Sequence, residues 1–427
     1  MRVVTRSFLC LAVALVCTAT LAQEAPAPRT LLRAGHVLDV RTGKEAADQT
    51  IIVAGDKIVA IAATSSTPKQ GDDGEIDLSG MTVMPGLIDV HTHLTMDNNF
   101  DPYHELSTSI AKSALIGARN AKVTLEAGFT TVRNVHAEGF SDVDLRDAIN
   151  EGLVPGPHMQ VSGPALSISG GHCDDNLLPY DFHAHGGGVA DGVEAVQHKV
   201  RENIKYGADL IKICATGGVL SKGDDPQASQ FTEAELKAAV ADAHRLGRKV
   251  AAHAHGAQGV IWATDAGVDS IEHASYITDE GIREMKAHGT YLVPTAYLVD
   301  WLQQYGKLPA FYAQKMKDVS AVQKANLKKA IAAGLKVALG TDAAVYPHGL
   351  NAHELDVYVN QFGMTPLAAL QSATLNAADL MGWSDRVGAL EPGKWADIIA
   401  VSGDPLKDVT LLQNVAFVMK SGTIYKR

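Results

Sequence analysis

The chain has 427 residues, 46% of them apolar and 20% charged, which suffices for one large core or two ordinary ones and excludes global disorder. Lys plus Arg number 37 against 48 Asp plus Glu, a formal charge of −11. That acidic balance, without a basic block, argues against nucleic acid or an anionic membrane surface as the main partner.

Residues 1–22 read as a cleaved export signal. Arg2 and Arg6 precede an apolar run from Phe8 to Val16, and Thr20-Leu21-Ala22 supplies small residues for cleavage. The run is too short to span a membrane. Cys17 lacks the small residue expected before a lipoprotein cysteine, so the mature protein is expected to be periplasmic or secreted, without a membrane anchor. Cys10 and Cys17 leave with the signal. For Cys173 and Cys214, an oxidising compartment leaves a bridge and free thiols both open.

From residue 29 to 84, short β-like runs alternate with turns, as in Gln49–Val53 and Lys57–Ile61 around Gly55-Asp56. The pattern changes at Pro85-Gly86, after which apolar strands alternate with helical stretches. Eight strands are expected at 87–91, 130–134, 159–162, 210–214, 249–253, 270–273, 290–294 and 336–341. Thr232-Glu233-Ala234-Glu235 is a capping box, with Phe231 and Leu236 as its staple, and Thr365-Pro366 opens another helix. The span from His91 to Asp342 matches the ~250 residues of a (β/α)8 TIM barrel. Residues 385–427 return to β-like runs. The expected fold class is α/β: a barrel over 85–384 inserted between two halves, 29–84 and 385–427, of a small β-sandwich domain.

Polar residues at strand ends carry the chemistry. His91-Thr92-His93 ends the first strand, and a side-chain period of two sends both imidazoles to one face. His253, His273 and Asp342 end strands five, six and eight, and in a barrel such ends converge on the active face. Lys212 lies inside Leu210-Ile211-Lys212-Ile213-Cys214, a buried run, where an unpaired ammonium is costly. Three readings stay open: a structural ion pair, a Schiff-base lysine, or a CO2-derived carbamate bridging two metals.

This set resembles the amidohydrolase superfamily of metal-dependent hydrolases. The resemblance is carried by Pro85-Gly86-Leu87-Ile88-Asp89-Val90-His91-Thr92-His93, Lys212, His253, Ile271-Glu272-His273, Gly340-Thr341-Asp342 and Gly393-Lys394-Trp395-Ala396-Asp397-Ile398-Ile399, over nearly all the mature chain. It implies that His91, His93 and Asp342 hold a buried metal, that His253 and His273 hold a second, and that carboxylated Lys212 bridges them. Within the superfamily, Ser169-Gly170-Gly171-His172, Thr216-Gly217-Gly218-Val219-Leu220-Ser221 and the Lys212–His253–His273 spacing are similar to the amino-acid-releasing branch. That branch holds Xaa-Pro dipeptidase-like and carboxypeptidase-like enzymes and ochratoxin-degrading amidohydrolases. The resemblance implies release of a C-terminal amino acid such as phenylalanine from a small-molecule amide, and a large homo-oligomer, an octamer.

The ligand types suit two zinc ions, and Mn or Co fits them too. Two cations ~3.5–4 Å apart can clamp a bridging hydroxide and polarise the scissile carbonyl. Asp342 is the expected base and acid, passing the proton to the leaving amine. His255, two residues beyond His253, is assigned to the carbonyl or oxyanion. His136 and His172 are candidate substrate contacts; His136 stands where many superfamily members have an Asp-Leu-Gly-like sequence. The Gly217-Gly218 turn, with Ser221 and Lys222, offers backbone donors for a substrate carboxylate, or is a loop without function. His185-Gly186-Gly187-Gly188 has no G-x-S-x-G partner and reads as loop. Competing functions are cyclic-amide hydrolysis on the same centre, a Schiff-base lyase using Lys212, and a non-catalytic binding protein.

Overall fold

The computed structural model describes residues 28–427; residues 1–22, expected to be an export signal, lie outside the described residues. Four strands, β1 (Arg29–Asp39), β2 (Lys44–Ala54), β3 (Lys57–Ala63) and β4 (Gly74–Pro85), come from the N-terminal segment. Seven parallel-sheet strands follow: β5 (Leu87–Thr92), β6 (Phe129–Asn134), β7 (His158–Val161), β8 (Leu210–Cys214), β9 (Lys249–Ala254), β10 (Ser270–His273) and β11 (Tyr291–Val293). The C-terminal segment adds β12 (Ile398–Val401), β13 (Phe417–Lys420) and β14 (Thr423–Lys426).

Both ends of the chain share one seven-stranded sheet, ordered β14-β13-β12-β4-β1-β2-β3. Alternation along these strands sends Leu32, Ala34, Ile51, Val53, Ile76 and Leu78 to a core that also holds Ile398, Ala400, Phe417 and Met419. The two segments therefore depend on one another for burial, although more than 300 residues separate them in sequence.

The seven middle strands form a β5-β6-β7 sheet and a β8-β9-β10-β11 sheet, all parallel. Helices such as Ile110–Glu126, Val193–Lys205, Glu233–Arg245 and Asp279–His288 connect successive strands. The Thr232 capping box is present: Thr232 Oγ1 accepts from the Glu235 amide at 3.3 Å, and Glu235 Oε2 accepts from the Thr232 amide at 2.8 Å. Phe231 and Leu236 are buried in one core cluster. At one seam between the sheets, the Leu166 amide donates to the Lys212 carbonyl and the Cys214 amide to the Leu166 carbonyl.

The eighth expected strand differs from the others. Residues 336–343 form only single bridges, Val337 to Leu292 and Ala343 to Thr92. The Leu292 amide donates to Lys336 O at 2.8 Å, and the Val90 amide to Leu339 O at 2.9 Å, so the segment still lies between β11 and β5. Beyond it, the backbone at Asp342 (φ 61°) and Ala344 (φ 121°) leaves the extended region. The arrangement is barrel-like, and the C-terminal ends of its strands carry the polar residues singled out above.

Gly340 makes the tight passage between β11 and β5. A Cβ there would fall 2.3 Å from Val293 Cγ1 and 2.7 Å from His91 Cβ. Gly340→Ala is expected to force these chains apart at a cost of about 1–3 kcal/mol. It should lower the thermal midpoint and, by displacing His91, lower metal content as well. Calorimetry and metal analysis of the purified variant measure both.

Candidate metal centre

Strand periodicity brings His91 and His93 to one face of β5, where both approach Asp342. His93 Nε2 lies 2.9 Å and His91 Nε2 3.4 Å from Asp342 Oδ1. Burial raises the Asp342 pKa, but the two imidazoles outweigh it and hold the carboxyl well below its ordinary range. On β9 and just past its end, the same period aligns His253 and His255, with ring centroids 4.7 Å apart. His273, from β10, stands 4.7 Å from His253 and 4.9 Å from His255.

Two groups of ligating atoms result, His91–His93–Asp342 and His253–His255–His273, each close enough to hold one cation. They meet where the His91 and His273 rings approach to 5.0 Å. His255 is buried rather than at the rim, so it joins the possible ligands as well as the possible carbonyl contacts. Burial drives the pKa of His93 down to about 4 and that of His255 to about 3, leaving neutral rings suited to a metal.

One interaction below this centre was missed in the sequence. Glu272 Oε2 lies 2.7 Å from His91 Nδ1, while Arg133 donates to Glu272 Oε1 at 2.9 Å. All three are buried. Burial opposes ionisation of Glu272, yet Arg133 and His91 bring its pKa down to about 2. An ionised Glu272 only accepts, so His91 donates from Nδ1 and keeps the Nε2 lone pair for the centre. The signal was available. Arg133 lies within the strand expected at 130–134, as Lys212 lies within the one at 210–214, and a buried cation calls for a buried anion.

The backbone makes this convergence geometrically feasible. Neighbouring strand residues ordinarily face opposite sides, yet Glu272 and His273 both approach His91. His273 has φ 71°, Thr295 φ 48° and Asp342 φ 61°, all in the left-handed region. Such turns in residues other than glycine cost of order 1–3 kcal/mol each and gather at functional sites. Here they swing ligand candidates inward. Thr295 in turn places its Oγ1 2.7 Å from His273 Nδ1, and Ser275 Oγ lies 2.7 Å from His255 Nδ1.

Lys212 is buried on β8 with no ion pair or hydrogen bond to its Nζ among the described residues. Burial lowers its pKa to about 8, with Glu272 and Asp342 acting in the opposite sense. The structural ion-pair reading therefore has no partner to support it. His136 points inward: its Nδ1 accepts from the Ala165 amide at 3.1 Å and its ring lies 6.3 Å from that of His93. His172 stacks on His253 at 4.2 Å. Lys222 is exposed and lines a cavity of about 50 Å³ together with His172 and Ser221.

The expectation for the Gly217 and Gly218 amides is corrected. The Gly217 amide donates to Ala228 O at 3.1 Å, and the Gly218 amide to Asp224 Oδ2 at 2.9 Å. Neither is left for a substrate carboxylate; the exposed Lys222 side chain is a donor at that turn. Cys173 and Cys214 form a disulfide, which fastens the loop carrying His172 to the strand carrying Lys212. The His185–Gly188 segment is a loop whose Gly186 amide is held by Asp174 Oδ1 at 2.7 Å.

Glu272→Gln should leave Arg133 without a charge partner in the interior, a loss of about 3–5 kcal/mol of stability. With His91 no longer oriented, affinity for divalent metal should fall roughly 10–100-fold. Denaturant unfolding and competition with a chromophoric chelator separate the two effects. Unchanged metal affinity would show that Glu272 has no part in orienting His91.

The comparisons agree with this geometry. The model of the amidohydrolase family matches residues 82–425. Ochratoxinase of Aspergillus niger is 36% identical over 402 residues, covering 88% of this chain and 82% of that protein. A solved Xaa-Pro dipeptidase with methionine bound in its active site has a TM-score of 0.89 at 37% identity, covering 93% of this chain and all of that one. The solved structure of A. niger ochratoxinase has a TM-score of 0.84 at 32% identity, covering 94% and 96%. A family pattern that begins just before His91 and runs nearly to the C-terminus, over strand ends that gather six imidazole and carboxylate groups, places this chain in the amidohydrolase family, as a hydrolase of amide bonds.

Proposed function

We propose that the chain is a dinuclear zinc amidohydrolase that releases the C-terminal amino acid from N-acyl amino acids or dipeptides. Ochratoxin A, cleaved to ochratoxin α and L-phenylalanine, is among the substrates of this reading. The observation that carries it is the pair of ligand groups meeting at His91 and His273, with Lys212 buried on the neighbouring β8. The residues fit a pair of divalent cations. His91, His255 and His273 each give one ring nitrogen to a buried polar partner, which leaves the other for a metal, and His93 Nδ1 is buried without a partner. His91, His93 and Asp342 would hold one ion, His253 and His273 the other, and a carbamate on Lys212 both. Mn or Co would fit the same donors.

Bound metals supply an activated water and polarise the carbonyl. The chain's own groups do the rest. Asp342 Oδ1 faces His91 and His93, so Oδ2 is the atom that takes a proton and returns it to the leaving amine. His136 and His172 border the substrate, and Lys222 meets its free carboxylate. A closed (β/α)8 barrel inserted into a β-sandwich of the chain ends is the architecture that goes with this reading. So are a homo-oligomer, an octamer by resemblance, and an exported location, which the Cys173–Cys214 disulfide suits. The crowd of neutral imidazoles around Lys212 favours metal over a Schiff base, which borohydride trapping with a carbonyl substrate would detect.

A panel of N-acyl amino acids, assayed with and without prolonged chelation, tests the reading. About two zinc ions per chain and loss of activity on chelation are expected; full activity without metal would overturn it. N-acyl-L-phenylalanine should exceed its methyl ester by about 10–100-fold, the worth of a charge-assisted contact such as Lys222 would make. Equal rates would point to a general amidase or esterase.

The Lys212 amine gives a pH test. It is protonated below about pH 8 and neutral above it, and only the neutral amine can react with CO2. At fixed dissolved CO2, recovery of activity by metal-free protein on adding zinc should therefore quicken as pH rises through about 8 and then level. Lys212→Ala should not recover unless a short carboxylic acid is supplied.

A further inference from the structure

Beside the imidazole cluster runs a second chain of polar contacts, which ends on His172. His172 Nδ1 lies 2.8 Å from Ser221 Oγ. Ser221 Oγ donates to Asp224 Oδ1 at 2.7 Å. Asp224 is paired with Lys315 Nζ at 2.5 Å, and Lys315 also donates to the carbonyls of Gly218 and Ser221 at 2.9 and 2.7 Å. The chain therefore runs from a lysine on helix Ala310–Ala332, through the turn after β8, to an imidazole stacked on His253. His172 is held from its other side as well. Its amide donates to Gln230 Oε1 at 3.0 Å, and the adjacent Cys173 is bonded to Cys214. Gly218 leaves room for the ring, since a Cβ there would fall 2.1 Å from His172 Cε1.

The polarity of this chain follows from counting protons. A carboxylate paired with a lysine only accepts. Ser221 has one hydroxyl proton, and the Asp224 oxygen at 2.7 Å holds it better than the Gly218 carbonyl at 3.4 Å. Toward His172, Ser221 therefore presents a lone pair, and His172 must donate from Nδ1. A neutral imidazole protonated at Nδ1 carries its lone pair on Nε2. No protein group meets that Nε2 among the described residues, and the ring lines the cavity shared with Leu220, Ser221 and Lys222.

We propose that the Lys315–Asp224–Ser221 chain fixes His172 as the Nδ1–H tautomer, so that Nε2 is a hydrogen-bond acceptor for an N–H of the bound substrate. His172 is then a substrate-contacting residue, and Ser221 and Asp224 are positioning residues. The identity of the donor, an amide or amine N–H of an N-acyl amino acid or dipeptide, rests on the amide-hydrolase reading; the tautomer does not.

Two arms test this. In zinc-loaded protein labelled with ¹⁵N-histidine, the signal lost in His172→Gln identifies the residue. The wild type should show a protonated Nδ1 and a bare Nε2, and Ser221→Ala should show mixed tautomers. A wild-type Nε2–H tautomer would overturn the proposal. In kinetics on the N-acyl amino acid panel, His172→Ala and Ser221→Ala should each raise KM roughly tenfold at near-constant kcat, the size of one hydrogen bond. The double variant should be no worse than His172→Ala, because both remove one interaction. His172→Gln, which keeps an acceptor oxygen, should recover part of the loss, and zinc content should stay at the wild-type level in all. Additive effects, or a His172→Ala variant with unchanged KM, would count against it. A wild type inactive on every amide would overturn the amide-hydrolase reading and leave the tautomer to the spectroscopic arm.

Discussion

A carboxylate and a guanidinium are buried together beneath the candidate metal centre, and the geometry above them depends on that pair. Glu272 is surrounded by protein, so its charge must be met there, and Arg133 meets it from β6 while His91 meets it from β5. Arg133 is itself tied to the Val90 carbonyl and to Ser270. Three strands are thus cross-linked by groups that cannot move without leaving a charge bare. The orientation of His91 follows from this constraint, and through His91 so does the placement of Asp342. Lys212 is the contrast. It is equally enclosed and, among the described residues, has no counter-ion within ion-pair distance, so the interior that satisfies Arg133 leaves Lys212 without a resident anion. A carbamate would replace that cation by an anion in the midst of the imidazoles proposed to bind metal.

Strain and satisfaction are distributed together. His273, Thr295 and Asp342 take left-handed backbone at three strand ends, and each is held by a specific contact. Thr295 meets His273, and Asp342 meets His91 and His93. Behind Asp342, Asp89 accepts from Thr341 at 2.6 Å and from Asn351 at 2.7 Å, which locks the turn from below. A turn of this kind persists only when its surroundings over-determine it. The site is therefore pre-shaped, with the cost of its geometry met by folding before any substrate arrives.

What could be read in the sequence divides along the same physical line. Strand-end residues were legible because period-two alternation and the αβ rhythm fix both where a strand ends and which way its last side chains face. His91, His93 and His253 come from that rule. Seven of the eight strand positions follow it too, and the eighth makes only single bridges. His273 and Asp342 were legible as strand ends, but they converge through left-handed φ, which the alternation rule does not contain. Arg133 and Glu272 were legible in principle, since opposite charges in two expected strands invite pairing, but their register depends on which strands lie across the interior. Of the two readings of the Gly217-Gly218 turn, the carboxylate-donor one fails for these two amides because they donate to Ala228 and Asp224, and a glycine pair says only that the backbone is tight, not whom it donates to.

Loops fail as sequence signals because their partners are remote and irregularly spaced. Asp224 and Lys315 are 91 residues apart, and no periodicity relates them. Yet that loop is not independent of the strands. The disulfide joins Cys173, next to His172, to Cys214, two residues beyond Lys212 on the same strand. Lys315 clasps two carbonyls of the turn that follows that strand. The groups proposed to recognise substrate are thereby anchored to the strand that carries the group proposed to bridge the metals. The disulfide ties the loop carrying His172 to β8, and Lys315 holds the turn that follows β8, so the proposed substrate contact and Lys212 are positioned from one strand. Groups held this way on a rigid element keep their spacing better than groups on free loops.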